Sequence, residues 1–217
     1  MILVAVVAVW AGCINGDASL TTVADVPAAQ LIIEPSVIDA DPAPSDGKLP
    51  VVVQFFHDNA FVQLAGNAGV MCNGMPMPWS GLGYAIRIPL PAAGDTLVFS
   101  HVRAGTTTMT MLRVPPRPVI SLPTQGTTIK RTTNLAIVYS STMSAGVRPD
   151  ASDDTIGVIG SEQSDNGTAY LDVSGLHVGN GAISIERRYV FLQAGTGFQG
   201  VDSTYTISSP DTAVIWQ

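Results

Sequence analysis

Residues Thr96 to Val114 read TLVFSHVRAGTTTMTMLRV. Two runs rich in Thr and Val, Thr96 to Arg103 and Thr106 to Val114, are parted by Gly105, a residue that enters a tight reversal without steric cost. The stretch reads as an antiparallel hairpin, and the same punctuation continues on both sides of it. Upstream lie Val51 to His57, Ala60 to Ala65, Gly69 to Asn73 and Gly83 to Ile88, broken at Asp58-Asn59, Gly66-Asn67, Asn73-Gly74 and Pro89 to Gly94. The Asp58-Asn59 and Asn73-Gly74 pairs suit tight turns because Asn, Asp and Gly tolerate positive φ. Downstream lie Val119 to Leu122, Thr127 to Arg131, Leu135 to Tyr139, Asp154 to Gly160, Thr168 to Val173, Ala182 to Leu192, Ser203 to Ser208 and Ala213 to Trp216. Alternation puts Leu135, Ile137 and Tyr139 on one face, as it does Ile183 with Ile185 and Val214 with Trp216. No segment sustains a helical apolar spacing over three turns, so the chain is expected to be all-β.

Composition agrees. The chain has 217 residues, 46% of them hydrophobic and only 12% charged, which excludes a disordered tail, a coiled coil and a helical bundle. The 21 Gly and 15 Pro show no period of three, so collagen is excluded as well. The net charge of −7 includes only ten cationic side chains, and these are scattered, so nucleic acid is not an expected partner.

Pro115-Pro116-Arg117-Pro118 cannot continue a β-ladder, since three of its four residues lack an amide donor. It divides the chain into an expected β-sandwich at residues 31–114 and a second at 119–217, with 115–118 as the joint. The run PVISLPTQGTTIKRTTNLAIVY from Pro118 to Tyr139 resembles the opening of bacterial immunoglobulin-like domains. Leu171-Asp-Val-Ser-Gly-Leu176 before Gly179-Asn-Gly-Ala-Ile-Ser-Ile185 resembles their later turn and strand. The resemblance covers about residues 116–217 and implies two antiparallel immunoglobulin-like sandwiches in tandem, on a protein outside the cytoplasm; it transfers no site.

Met1 to Ala11, MILVAVVAVWA, has no polar side chain and is too short to span a bilayer, but it has the size of a signal-peptide core. Ala11-Gly12-Cys13 resembles the lipobox of bacterial lipoproteins, which implies a signal peptide at 1–12, lipidation of Cys13 and membrane attachment through it. Trp10 stands where that motif prefers an aliphatic residue, and no Lys or Arg precedes the run; a start site further upstream would supply the basic residues. The alternative is a buried N-terminal strand. Residues 13–30 are small and polar and read as a tether, and Asp39 to Gly47 as an extended loop. With Cys13 acylated, Cys72 has no partner for an intramolecular disulfide and reads as a buried small hydrophobe.

Catalytic motifs are thin. Gly195-Thr-Gly197-Phe-Gln-Gly200 matches G-x-G-x-x-G, yet a strand pattern follows it where a helix N-terminus would have to receive a pyrophosphate, so it reads as a hairpin turn. His57, His101 and His177 are isolated, and Glu34, Glu162 and Glu186 announce no carboxylate pair. Asn166-Gly-Thr168 is a formal sequon that reads as a turn. Asp150, Asp153, Asp154 and Asp165 fall in expected loops and could supply oxygen ligands to calcium, without EF-hand spacing. Cys72, Met75 and Met77, with Met109 and Met111, could supply soft ligands to copper. Alternatively Met75, Met77, Trp79 and Tyr84 form an apolar contact patch for a protein or glycan, the rings acting as stacking platforms.

The expected protein is therefore a non-enzymatic, extracytoplasmic or cell-surface lipoprotein serving in binding, adhesion or scaffolding, with no cofactor. The alternatives are an enzyme or carbohydrate-binding accessory domain acting on surface polysaccharide, and a copper-binding sandwich.

Overall fold

The computed structural model describes residues 21–23, 26–39, 46–64, 69–81, 83–103, 105–142, 146–192 and 197–217. Cys13 and the expected signal peptide lie outside these. Among the described residues the fold is all-β, and the only helix is a 3-10 turn at Ala28–Gln30. In chain order the strands are β1 (Thr21–Val23), β2 (Ile32–Asp39), β3 (Lys48–His57), β4 (Ala60–Leu64), β5 (Gly69–Cys72), β6 (Met75–Pro76), β7 (Tyr84–Pro89), β8 (Thr96–Arg103) and β9 (Thr106–Arg113). They continue as β10 (Ile120–Leu122), β11 (Thr127–Ile129), β12 (Leu135–Tyr139), β13 (Gly146–Asp153), β14 (Gly157–Ile159), β15 (Thr168–Leu171), β16 (Gly179–Leu192), β17 (Gly200–Ser208) and β18 (Thr212–Trp216).

These strands form an 11-stranded sheet, a 4-stranded sheet in the order β6-β5-β8-β9 and a 3-stranded sheet in the order β10-β12-β15. The 4-stranded sheet shares one core with β2, β3, β7 and β17: Val70, Cys72, Leu97 and Phe99 meet Ile33, Val53, Phe55, Ile88 and Tyr205. The 3-stranded sheet shares a second core with β13, β16 and β18, where Ile137, Ala169 and Leu171 meet Val147, Ile183, Ile185 and Trp216. Each core is sandwich-like. Burial of these side chains, at roughly 25 cal/mol per Å² of apolar surface, is the main stabilising term, since the chain has little charge to pair.

One sheet reaches both cores because β16 is 14 residues long, roughly 45 Å at about 3.3 Å per residue. Its Ile183 and Ile185 lie in the second core, while Tyr189 and Phe191 pack against the first. Strand β17 returns antiparallel along it and puts Val201, Tyr205 and Ile207 into the first core. There β17 pairs in parallel with β2 from the N-terminal half. Residues 119–217 thus contribute to both cores.

Two of the eight-residue strands have no signal in the alternation. Only the first apolar residues of β2 stand out, because Glu34, Pro35 and Ser36 interrupt it, yet Ile33, Pro35, Val37 and Asp39 form its buried row. Pro35 has no amide hydrogen, and the ladder to β17 lapses beside it, resuming at Ser36 against Thr204. Strand β13 is masked by Arg148, Pro149 and Asp150, but pairs with β16 over all eight of its residues. The carbonyl of Pro149 accepts from Gly160 N at 2.8 Å, so its missing donor faces the β14 side and leaves the ladder to β16 intact. Within the expected tether, β1 runs parallel to β4, and the carbonyl of Val26 accepts from Arg103 at 2.9 Å. The turns at Asp58-Asn59 and Asn73-Gly74 have positive φ at both positions.

Candidate functional site

Along β16 the alternate residues Ile183, Ile185, Arg187, Tyr189 and Phe191 share one face, by the period of two of a strand. Arg187 therefore falls in the inward row between the two cores, where it is fully buried. A charge in that position needs a partner. Asp165, from the turn before β15, supplies it: Arg187 Nε lies 3.1 Å from Asp165 Oδ2, with neither side chain exposed. Arg187 Nη2 also donates to the Ser140 carbonyl, and the guanidinium carbon sits 5.7 Å from the Tyr139 ring centre and 6.0 Å from that of Tyr189. Burial, with the Asp165 carboxylate next, raises the Tyr139 phenol above its ordinary value.

The pair holds two hydroxyls in place. Thr142 donates its amide and hydroxyl to Asp165 Oδ2, each at 3.3 Å, and its hydroxyl lies 2.5 Å from that of Tyr189. Tyr189 stacks on Phe191, with ring centres 6.0 Å apart and planes 14° from parallel. These groups form one wall of an open, mainly apolar trough of about 440 Å³. Ala93 and Gly94, Arg113 at the end of β9, and Val114 to Pro116 of the Pro-rich run form the rest. The trough lies in the size range of small-ligand sites.

The residues singled out from the sequence lie elsewhere, Asp165 excepted. Met77 and Tyr84 are buried in the first core, where the Tyr84 hydroxyl accepts from Leu64 N at 3.0 Å and donates to Leu64 O at 3.2 Å. Met75 and Trp79 are half-buried against that core, and Trp79 meets Tyr84 edge to face at 5.2 Å. Tyr84 therefore presents no open stacking face. Cys72 is fully buried, and desolvation pushes its thiol up to about 11. Met109 and Met111 lie on the outer face of the 4-stranded sheet, away from Cys72 and Met77.

Among the aspartates, Asp153 Oδ1 caps Thr155 N and Ile156 N at 2.6 and 2.8 Å, while Oδ2 accepts from His177 N at 2.6 Å. The His177 amide first, and the other amides of this turn, hold the Asp153 carboxyl at about 2. Asp154 is exposed, and Asp150 is half-buried with its carboxyl raised by desolvation. With Asp165 bound to Arg187, the four are not gathered around one point. Among the described residues no three His, Cys, Asp or Glu side chains form a group that could hold a metal.

His101 is a core residue. It is buried against Phe55 and Phe198, its Nε2 has no hydrogen-bond partner, and desolvation, aided by Arg103, lowers its pKa. His57 Nδ1 contacts the Gln30 carbonyl at 3.1 Å. Asn166 makes a turn, its side chain accepting from Thr168 N at 3.1 Å. After Gly197 and Gly200 the chain enters β17, so no helix N-terminus follows the G-x-G-x-x-G match. Alternation had no means of finding the trough, whose lining comes from four separate segments.

Two carboxyls stand on neighbouring strands of the large sheet. Glu34 on β2 and Asp202 on β17 flank the parallel ladder, and burial, then the Asp202 charge, push Glu34 up to about 7.

Comparison with protein families and with curated proteins found no match. No helix among the described residues is long and apolar enough to cross a membrane.

Proposed function

We propose that the protein is a non-enzymatic extracytoplasmic lipoprotein whose folded body is a binding module, with the trough over Tyr189 and Phe191 as its contact site. The observation that carries this reading is the wall itself: two stacked rings backed by a fully buried ion pair that holds the neighbouring hydroxyls. Such backing keeps a contact surface in one geometry and reduces the ordering cost of binding. Anchoring through Cys13 rests on the lipobox-like start, and the immunoglobulin-like character of the two sandwich-like cores rests on the resemblance over residues 116–217.

Two measurements test it. Labelled palmitate should enter the protein and be lost in Cys13→Ala; incorporation that survives the substitution removes the anchor. The full-length protein on a glycan and matrix-protein array should give binding that Phe191→Ala abolishes, and an array without signal removes the binding reading.

The second reading is an enzyme acting on surface polysaccharide, with the Glu34 carboxyl, raised by burial and by the Asp202 charge, as its candidate acid. A carboxyl raised to about 7 keeps its proton near neutral pH, as the acid that cleaves a glycosidic bond must. Release of reducing sugar from polysaccharide, lost in Glu34→Gln, would replace the first reading with this one.

A further inference from the structure

We infer that the trough takes an acidic saccharide, with a uronate carboxylate on Arg113 and a sugar ring against Tyr189 and Phe191. This rests on the binding-module reading and names the ligand chemistry of the same site.

Most hydrogen-bond donors that face the trough are missing or already spent. Pro115 and Pro116 have no amide hydrogen. The Gly94 amide is consumed by the Val114 carbonyl at 2.9 Å, and the Val114 amide by the Asp95 carbonyl at 2.8 Å. The hydroxyls of Thr142 and Tyr189 are bonded to each other, and that of Thr142 also to Asp165. The donor-rich group that remains is the Arg113 guanidinium, the only charged side chain among the described residues that line the trough. Among the described residues Arg113 has no ion-pair partner, whereas Arg87, Arg117, Arg148, Arg187 and Arg188 each have one.

In a chain of net charge −7, an unpaired cation at the end of an apolar, aromatic-walled trough selects for an anion on an apolar body. A planar guanidinium meets a carboxylate with two parallel hydrogen bonds. The stacked rings offer a flat apolar surface for the C–H face of a sugar, and their hydroxyl edge an acceptor for its hydroxyls. A neutral sugar would leave Arg113 without a counter-charge.

The experiment is titration calorimetry of the full-length protein with tri-galacturonate and with neutral maltotriose. Tri-galacturonate should bind about tenfold more tightly, as one charge-assisted pair allows, and raising the salt should narrow the gap. Arg113→Gln, an exposed side chain whose loss should leave the melting temperature in place, should abolish the preference. Phe191→Leu should weaken both sugars. Equal affinities, an acid preference that survives Arg113→Gln, or no binding of either sugar overturns the inference. If the array shows a ligand that Phe191→Ala removes while tri-galacturonate fails to compete for it, the acidic-saccharide assignment falls and the binding module stands.

Discussion

Arg117 reaches Asp39 at 2.5 Å across 78 positions of the chain, tying the Pro-rich run to the end of β2. The same guanidinium donates to the Ser208 carbonyl at the end of β17. Tyr205 on β17 donates to the other Asp39 oxygen at 3.4 Å. The parallel pairing of β2 with β17 is thus clamped at one end by a side chain from a segment that is in neither strand. Asp39 has 4% of its side chain exposed, so it depends on that clamp.

Removing Arg117 strands a buried carboxylate. Arg117→Met should lower the unfolding free energy by about 3 kcal/mol, and Asp39→Asn added to it should restore part of the loss. Urea unfolding of the two single variants and the double variant checks this; additive losses would mean that the two side chains are not coupled.

Gly181 is fixed by what stands above it. A Cβ there would meet Trp216 Nε1 at 1.9 Å and the Ser152 carbonyl at 2.3 Å, and these two atoms are themselves hydrogen-bonded at 2.9 Å. Gly181→Ala should therefore cost about 2–4 kcal/mol and unseat Trp216 from the second core. Thermal melting and the tryptophan emission of the variant report the two effects.

The Glu34 carboxyl is raised from 4.5 to about 7 in the folded protein. The folded state then holds its proton more tightly than the unfolded chain does, so the contribution is present below pH 4.5 and is lost as pH rises through about 7. Glu34→Gln should flatten the fall in melting temperature across that window and be the more stable form above it. A wild-type melting temperature that rises over the same window would contradict the assignment.

Cys72 gives a probe of the first core. With its side chain fully buried and its thiol at about 11, Cys72 in a Cys13→Ser background should resist maleimide in native buffer and react once in urea. Rapid native labelling would mean that β5 opens without global unfolding.

Much of the strand inventory was legible because residues such as Leu135, Ile137 and Tyr139 obey a period of two against a solvated outer face. Strands β2 and β13 were hidden because their neighbours cover them and their buried rows use Pro, Ala and Asp39 in place of large apolar side chains. The Met-Pro-Met-Pro-Trp segment allows soft-metal ligands or a surface patch by its residue types, yet Met77 sits in the core. Composition records that these side chains are apolar and says nothing about which face they are on.

By itself, then, the amino-acid order determined the class of structure and most of its punctuation: β-branched runs, positive-φ turns at Asp58-Asn59 and Asn73-Gly74, and a Pro-rich run that breaks every ladder. These are local consequences of sterics and hydrogen-bond donors, felt within a few residues. The parallel junction of β2 with β17, the burial of Arg187 against Asp165 and the trough walled by Tyr189 and Phe191 join residues far apart in the chain. Only the tertiary structure decided them, because pairing and desolvation depend on which strands come to lie side by side.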